Sequence, residues 1–201
     1  MITDLRVCFI GDSFVAGVGD AEHRGWVARL CARSTGAGLP LTAYNLGVRR
    51  ETSVDVLARW EAECRPRLSV GDDRRIVVGV GVNDTALEGG TPRVPAERSV
   101  TALAALLDGA VAAGWPVLVV GPPPIADDGQ NARIAALDVR FAEICSARDV
   151  PYVSVTGPLG ASDPWRRQVA EGDGAHPGAA GYQELADLVW PEWEAWLRTR
   201  P

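Results

Sequence analysis

A serine set directly behind an apolar run is the first place in this sequence where covalent chemistry could begin. Leu5-Arg6-Val7-Cys8-Phe9-Ile10 reads as a buried strand that stops at Gly11-Asp12, and Ser13 follows in Gly11-Asp12-Ser13-Phe14-Val15-Ala16-Gly17. At such a turn a serine exposes its hydroxyl and points its backbone N–H into the same space, although capping alone explains many serines there. Gly47, closing Tyr44-Asn45-Leu46-Gly47, and Asn83, in Val80-Gly81-Val82-Asn83-Asp84, follow two further apolar runs. A glycine at a strand end lets a backbone amide approach a ligand, and an asparagine offers a neutral, directed donor. With the Ser13 amide they make three donors for an oxyanion, and one such donor is worth about 10²–10³ in turnover. Taken singly, a turn glycine and an Asx-turn asparagine account for each. Near the C-terminus, Asp173-Gly174-Ala175-His176 sets a carboxylate three residues ahead of an imidazole. Folded back across the glycine, Asp173 would fix the ring tautomer in which Nε2 takes a proton from serine. An isolated D-x-x-H is also a common surface-loop pattern.

Composition narrows the chemistry. All 20 basic residues are arginine, and the 2 histidines are His23 and His176. Without lysine there is no P-loop, pyridoxal Schiff base, serine–lysine dyad or lysine base. His23, in Gly19-Asp20-Ala21-Glu22-His23-Arg24, has no comparable partner arrangement and reads as a solvated loop residue. The elbow G-x-S-x-G of α/β-hydrolases is absent. A net charge of -6 without a basic stripe argues against nucleic acid as a partner. Cys8, Cys31, Cys64 and Cys145 are dispersed, as buried reduced thiols are, although one bridge is not excluded. Neither a signal peptide nor a membrane span is read, so the expected address is cytoplasmic. Asp127-Asp128 reads as helix capping rather than as a metal site.

The elements that must position these residues alternate. Strands are expected at Leu41 to Leu46, Arg75 to Val80, Pro116 to Val120 and Pro151 to Val155. Helices are expected over Thr52 to Leu68, opened by the capping-box-like Thr52-x-x-Asp55, and from about Pro95 to Gly114, where Val100, Leu103, Ala104, Leu107 and Val111 would face the core. Two more are expected at about Asn131 to Arg148 and Ala179 to Leu197. Glu88-Gly89-Gly90-Thr91-Pro92 reads as an ordinary connection. Five strands alternating with helices imply a parallel sheet covered on both faces, in one domain spanning residues 1–201. Ligands gather at the carboxyl ends of such strands, where Ser13, Gly47 and Asn83 fall. In a tail that also holds Trp190, the spacing of Trp193, Trp196 and Leu197 along one helical face suggests docking of the last helix on the core, or a homo-oligomer interface.

In this order the blocks resemble the SGNH, or GDSL-type, hydrolase family. Gly11-Asp12-Ser13 is similar to its nucleophile block, Asn45-Leu46-Gly47 to its glycine block, Gly81-Val82-Asn83-Asp84 to its G-x-N-D block and Asp173-Gly174-Ala175-His176 to its D-x-x-H block. The likeness is closest to compact bacterial lipases and esterases. It implies a flavodoxin-like three-layer α/β/α fold and cleavage of an ester or thioester with no cofactor or metal. It makes Ser13 the nucleophile, His176 the base and Asp173 its orienting partner, with Ser13, Gly47 and Asn83 as the oxyanion donors. Phe14 replaces the family's leucine, and Arg49-Arg50-Glu51 makes a bulkier, more charged rim. Carbohydrate deacetylation and acyl transfer share this machinery. A non-catalytic flavodoxin-like module binding a small ligand is the alternative from another class.

Overall fold

The computed structural model describes residues 4–199. Its frame is a five-stranded parallel sheet of β1 (Leu5–Gly11), β2 (Thr42–Gly47), β3 (Asp73–Gly79), β6 (Val117–Val120) and β7 (Tyr152–Val153), in the order β2-β1-β3-β6-β7. This is the flavodoxin-like arrangement expected from the sequence. The chain runs from β1 out to β2 at one edge and then crosses back over β1 to β3 on its other side, so a crevice forms at the carboxyl ends of β1 and β3. Residues alternate across β1: Val7 and Phe9 enter one apolar cluster, Cys8 and Ile10 the other.

The first cluster is built against α2 (Gly25–Gly36), α7 (Asp163–Glu171) and α8 (Ala179–Arg198). Trp193 packs on Phe9 at 5.4 Å between ring centroids and donates its indole N–H to Ser34 Oγ at 2.7 Å. Trp190, Trp193 and Trp196 are all buried, so docking of α8 accounts for them and they lend nothing to an oligomer interface. The second cluster is built against α3 (Ser53–Leu68), α4 (Ala96–Ala112) and α5 (Asp128–Ser146). The capping box expected at Thr52 and Asp55 forms, and Asp127 caps α5 by accepting from Gln130 N–H at 2.6 Å.

Several expectations are corrected. Helix α4 buries Ala102, Leu103, Leu106, Leu107 and Ala110, whereas Val111 is exposed, so the core stripe is rotated from the expected one. Glu88 to Pro92 is not a plain connection but a hairpin of β4 (Leu87–Glu88) and β5 (Thr91–Pro92). Its two central residues, Gly89 and Gly90, have φ of 60° and 84°, the pair of left-handed conformations that a two-residue hairpin turn requires. Helices α2 and α7, the four-residue α1 (Ser13–Ala16) and the short α6 (Thr156–Ala161) went unanticipated. All four cysteines are free. Among the described residues no helix is long and apolar enough to cross a membrane.

Candidate active site

Asp12, not Ser13, caps the turn after β1. Its Oδ1 accepts the Phe14 N–H at 2.9 Å, leaving Ser13 in the first position of α1. Ser13 is 3% exposed, and its Oγ meets His176 Nε2 at 2.8 Å. On the far side of the ring, His176 Nδ1 lies 2.7 Å from Asp173 Oδ2. The other oxygen of Asp173 accepts the backbone N–H groups of Ala175 and His176 at 3.0 and 2.8 Å. Partial burial pushes the Asp173 carboxyl up, but these donors and the imidazole outweigh it and hold the group at about 2. It therefore stays ionised, and Nδ1 keeps the proton while Nε2 faces the serine.

The loop that carries this pair is fixed from both ends. Gly174 O accepts from Ala126 N–H and Gly174 N–H donates to Val169 O, at 2.9 and 3.1 Å. Phe14 lies against the imidazole with centroids 4.8 Å apart and against Trp165 at 6.3 Å, and Trp165 donates its indole N–H to Pro124 O at 2.9 Å. Pro124 and Ile125 line a cavity of about 590 Å³ with Trp165 and Arg166.

Gly47 and Asn83 reach the same crevice. Asn45 staples β2 to α1, donating from Nδ2 to Val15 O at 2.7 Å while its Oδ1 accepts the Gly47 N–H at 3.0 Å. The strand end lies so close to α1 that a Cβ on Gly47 would stand 2.2 Å from Ala16 N. Asn83 Nδ2 donates to Glu51 O at 2.9 Å and to Asp12 Oδ2 at 3.2 Å. Its neighbour Asp84 is wholly buried and accepts from Ser53 N–H, Ser53 Oγ–H and Ser99 Oγ–H, which ties the Asn83 turn to α3 and α4. Burial pushes Asp12 up to about 7; Asp84 adds to that rise, while donation from Phe14 N–H and Asn83 opposes it.

Among the described residues no group of three or more His, Cys, Asp or Glu side chains is set to hold a metal ion. Burial pushes the Cys31 and Cys145 thiols up to about 12, so neither is an activated thiolate. His23 is exposed, and Arg49 and Arg50 are exposed on the rim, with Arg49 Nη2 3.8 Å from Asp173 Oδ2.

A comparison with known families is decisive here, because the sequence profile of the GDSL-like lipase/acylhydrolase family matches residues 9–184. The chain belongs to that family. It is thus a GDSL hydrolase, an esterase by family. No curated protein matches it in sequence. Solved structures match in fold along the whole chain. A lipase/acylhydrolase from Enterococcus faecalis shares 20% identity over 98% of this chain and 99% of its own, with a TM-score of 0.77. A psychrotrophic esterase from a Pseudoalteromonas species, inhibited by monoethylphosphonate, shares 21% over 98% and 100%, at 0.72. A mutant acetyl-xylooligosaccharide esterase from Geobacillus stearothermophilus shares 20% over 100% and 99%, at 0.80.

The residues named from the sequence of this GDSL hydrolase thus meet at one crevice. Sequence reading missed the residues that hold them: Asp12 as cap and Asn83 partner, Asn45 as staple, and Asp84 as buried anchor. Asp12 and Asp84 were visible as carboxylates adjoining Ser13 and Asn83, the one signal that pointed to them.

Proposed function

We propose that this protein cleaves carboxylic esters or thioesters through an acyl-enzyme on Ser13. The observation that carries this reading is the continuous relay from Ser13 Oγ to His176 Nε2 at 2.8 Å and from Nδ1 to Asp173 Oδ2 at 2.7 Å. His176 takes the hydroxyl proton as Oγ bonds to the acyl carbon, and the carbonyl electrons move to oxygen. When the tetrahedral species collapses, the bond to the leaving oxygen or sulfur breaks and His176 Nε2 returns the proton to it. Water then enters, loses its proton to His176, and releases the acid by the same steps in reverse.

The oxyanion is taken by the Ser13 and Gly47 amides and the Asn83 side chain. Two of these donors already hold internal acceptors. An alkoxide outcompetes them, because a hydrogen bond to a charged acceptor is roughly twice as strong as a neutral one. The longer Asn83 contact, 3.2 Å to Asp12 Oδ2, is the one exchanged. No cofactor or metal enters the cycle.

The unbroken sheet and its two clusters support reading residues 1–201 as one domain, and free, mostly buried cysteines suit a cytoplasmic setting. The test is turnover of p-nitrophenyl acetate and butyrate and of a matched thioester by the wild type and by Ser13→Ala. Turnover by the wild type that falls to background in the variant supports the reading. Activity retained by Ser13→Ala overturns it, and wild-type binding without turnover would favour a non-catalytic module.

A further inference from the structure

One arginine outside the catalytic relay touches two of the three segments that present the oxyanion donors and bears on the third through Glu51. Arg59, on α3, has a side chain only 19% exposed, and its guanidinium lies under the carboxyl ends of β1 and β2. Its Nη2 donates to Leu46 O at 2.8 Å and to Gly11 O at 3.2 Å, and its Nε donates to Glu51 Oε2 at 2.7 Å. Gly11 O also accepts the Val48 N–H at 2.9 Å, so the arginine and the Val48 amide together hold that carbonyl.

The chemistry of these acceptors is specific. Leu46 C=O and Gly47 N–H belong to one planar peptide group. A charged donor on that carbonyl therefore fixes the plane in which the Gly47 N–H points and polarises the N–H as a donor. Gly11 lies two residues before Ser13, at the point where β1 turns into α1. Glu51 is the third acceptor, and its backbone carbonyl receives Asn83 Nδ2 at 2.9 Å. One guanidinium thus bears directly on the Gly47 peptide and the Ser13 turn, and through Glu51 on the Asn83 amide.

We propose that Arg59, braced by Glu51, is the positioning residue that sets the three oxyanion donors relative to one another. The proposal rests on the oxyanion assignment made above and extends it to a group that does not touch the substrate. Arginine is needed because its planar fork serves a carboxylate and two carbonyls at once, whereas an ammonium is a compact point donor. This makes Arg59→Lys a disabling change despite its retained charge.

The experiment measures kcat and KM on p-nitrophenyl acetate for Arg59→Lys and Glu51→Gln, with active sites counted by fluorophosphonate labelling and folding followed by thermal melts. Counting sites separates loss of folded protein from loss of chemistry. For Arg59→Lys, kcat per labelled site should fall about 10–10²-fold, since misaligned donors forfeit part of what a full donor contributes. KM should stay within about 3-fold, because the donors act on charge that develops only in the transition state. Affinity for a trifluoromethyl ketone, which forms an oxyanion when Ser13 adds to it, should fall by the same factor as kcat. Glu51→Gln, which keeps the volume and one acceptor oxygen, should show a smaller loss in the same two quantities. Wild-type kcat per labelled site in both variants would overturn the proposal, as would a fall in kcat with unchanged ketone affinity. Retained activity in Ser13→Ala would instead remove the underlying reading, so the two failures are distinct.

Discussion

Replacing Gly47 with alanine isolates the close approach between β2 and the turn that carries Ser13. An added Cβ would stand 2.2 Å from Ala16 N, 2.7 Å from Asp12 O and 2.8 Å from Ala16 Cα, where real Cβ contacts do not fall below 3.0 Å. The strand end and α1 must therefore part by at least 0.8 Å, the difference between 3.0 and 2.2 Å. Ala16 N–H and Asp12 O are also the two ends of one 3.1 Å hydrogen bond, so no single side-chain rotation relieves the clash. Displacement moves Ser13 away from the Gly47 N–H, and a misplacement of about 1 Å costs on the order of 10²-fold in rate. Overpacking of this kind costs about 1–3 kcal/mol, which for a domain of this size is roughly 2–12 °C in Tm. The assay is steady-state hydrolysis of p-nitrophenyl acetate beside a thermal melt. The expected result is a folded variant with kcat about 10²-fold down and KM changed far less. A folded Gly47→Ala protein with kcat within twofold of wild type would refute the role given to this contact.

Three further outcomes are expected. Asp173→Asn should lower kcat by about 10²–10⁴, because the amide no longer fixes the tautomer that presents Nε2 to Ser13; a loss under about tenfold in steady-state assays would contradict that role. Asp12 has a folded-state pKa of about 7 against an ordinary 3.8, so the folded protein holds a proton that the unfolded chain releases between those values. Its contribution to stability is present at the acid end of that window and is lost as pH rises through about 7, by at most roughly 4 kcal/mol. Urea unfolding across that range should show the decline in wild type and lack it in Asp12→Asn; parallel curves would contradict it. Phe14→Leu gives up ring contacts with His176 at 4.8 Å and Trp165 at 6.3 Å. It should cost about 1–2 kcal/mol of stability while leaving kcat within a few-fold, and a loss of kcat beyond tenfold would give the ring a part in catalysis.

Ser13, Gly47 and Asn83 were legible because each lies in a short block following a strand, and Asp173 and His176 because they share a four-residue block in the loop between α7 and α8, so that sequence neighbours fix both type and place. Helix α2 was not legible: Arg24 stands at its N-cap position without a capping bond, and Gly25 opens it, so no start signal marks it. Helix α7 did carry one, Ser162 before Asp163-Pro164, with Ser162 Oγ accepting the Trp165 N–H. The hairpin at Gly89-Gly90 was written in the turn chemistry but masked by strands of two residues each. The supporting shell was the least legible. Asp84 meets Ser53 from 31 residues away and Arg59 meets Gly11 from 48, contacts that only the crossing of α3 over the sheet creates.

The central claim is that Ser13, activated by His176, is the group that becomes acylated. The most direct measurement is labelling with a fluorophosphonate followed by peptide mass spectrometry, on wild type, Ser13→Ala and His176→Ala. The expected result is one adduct per chain on the peptide that contains Ser13, none in Ser13→Ala, and labelling slowed by about 10²–10⁴ in His176→Ala. An adduct on any other residue, or equal labelling of Ser13→Ala, would contradict it.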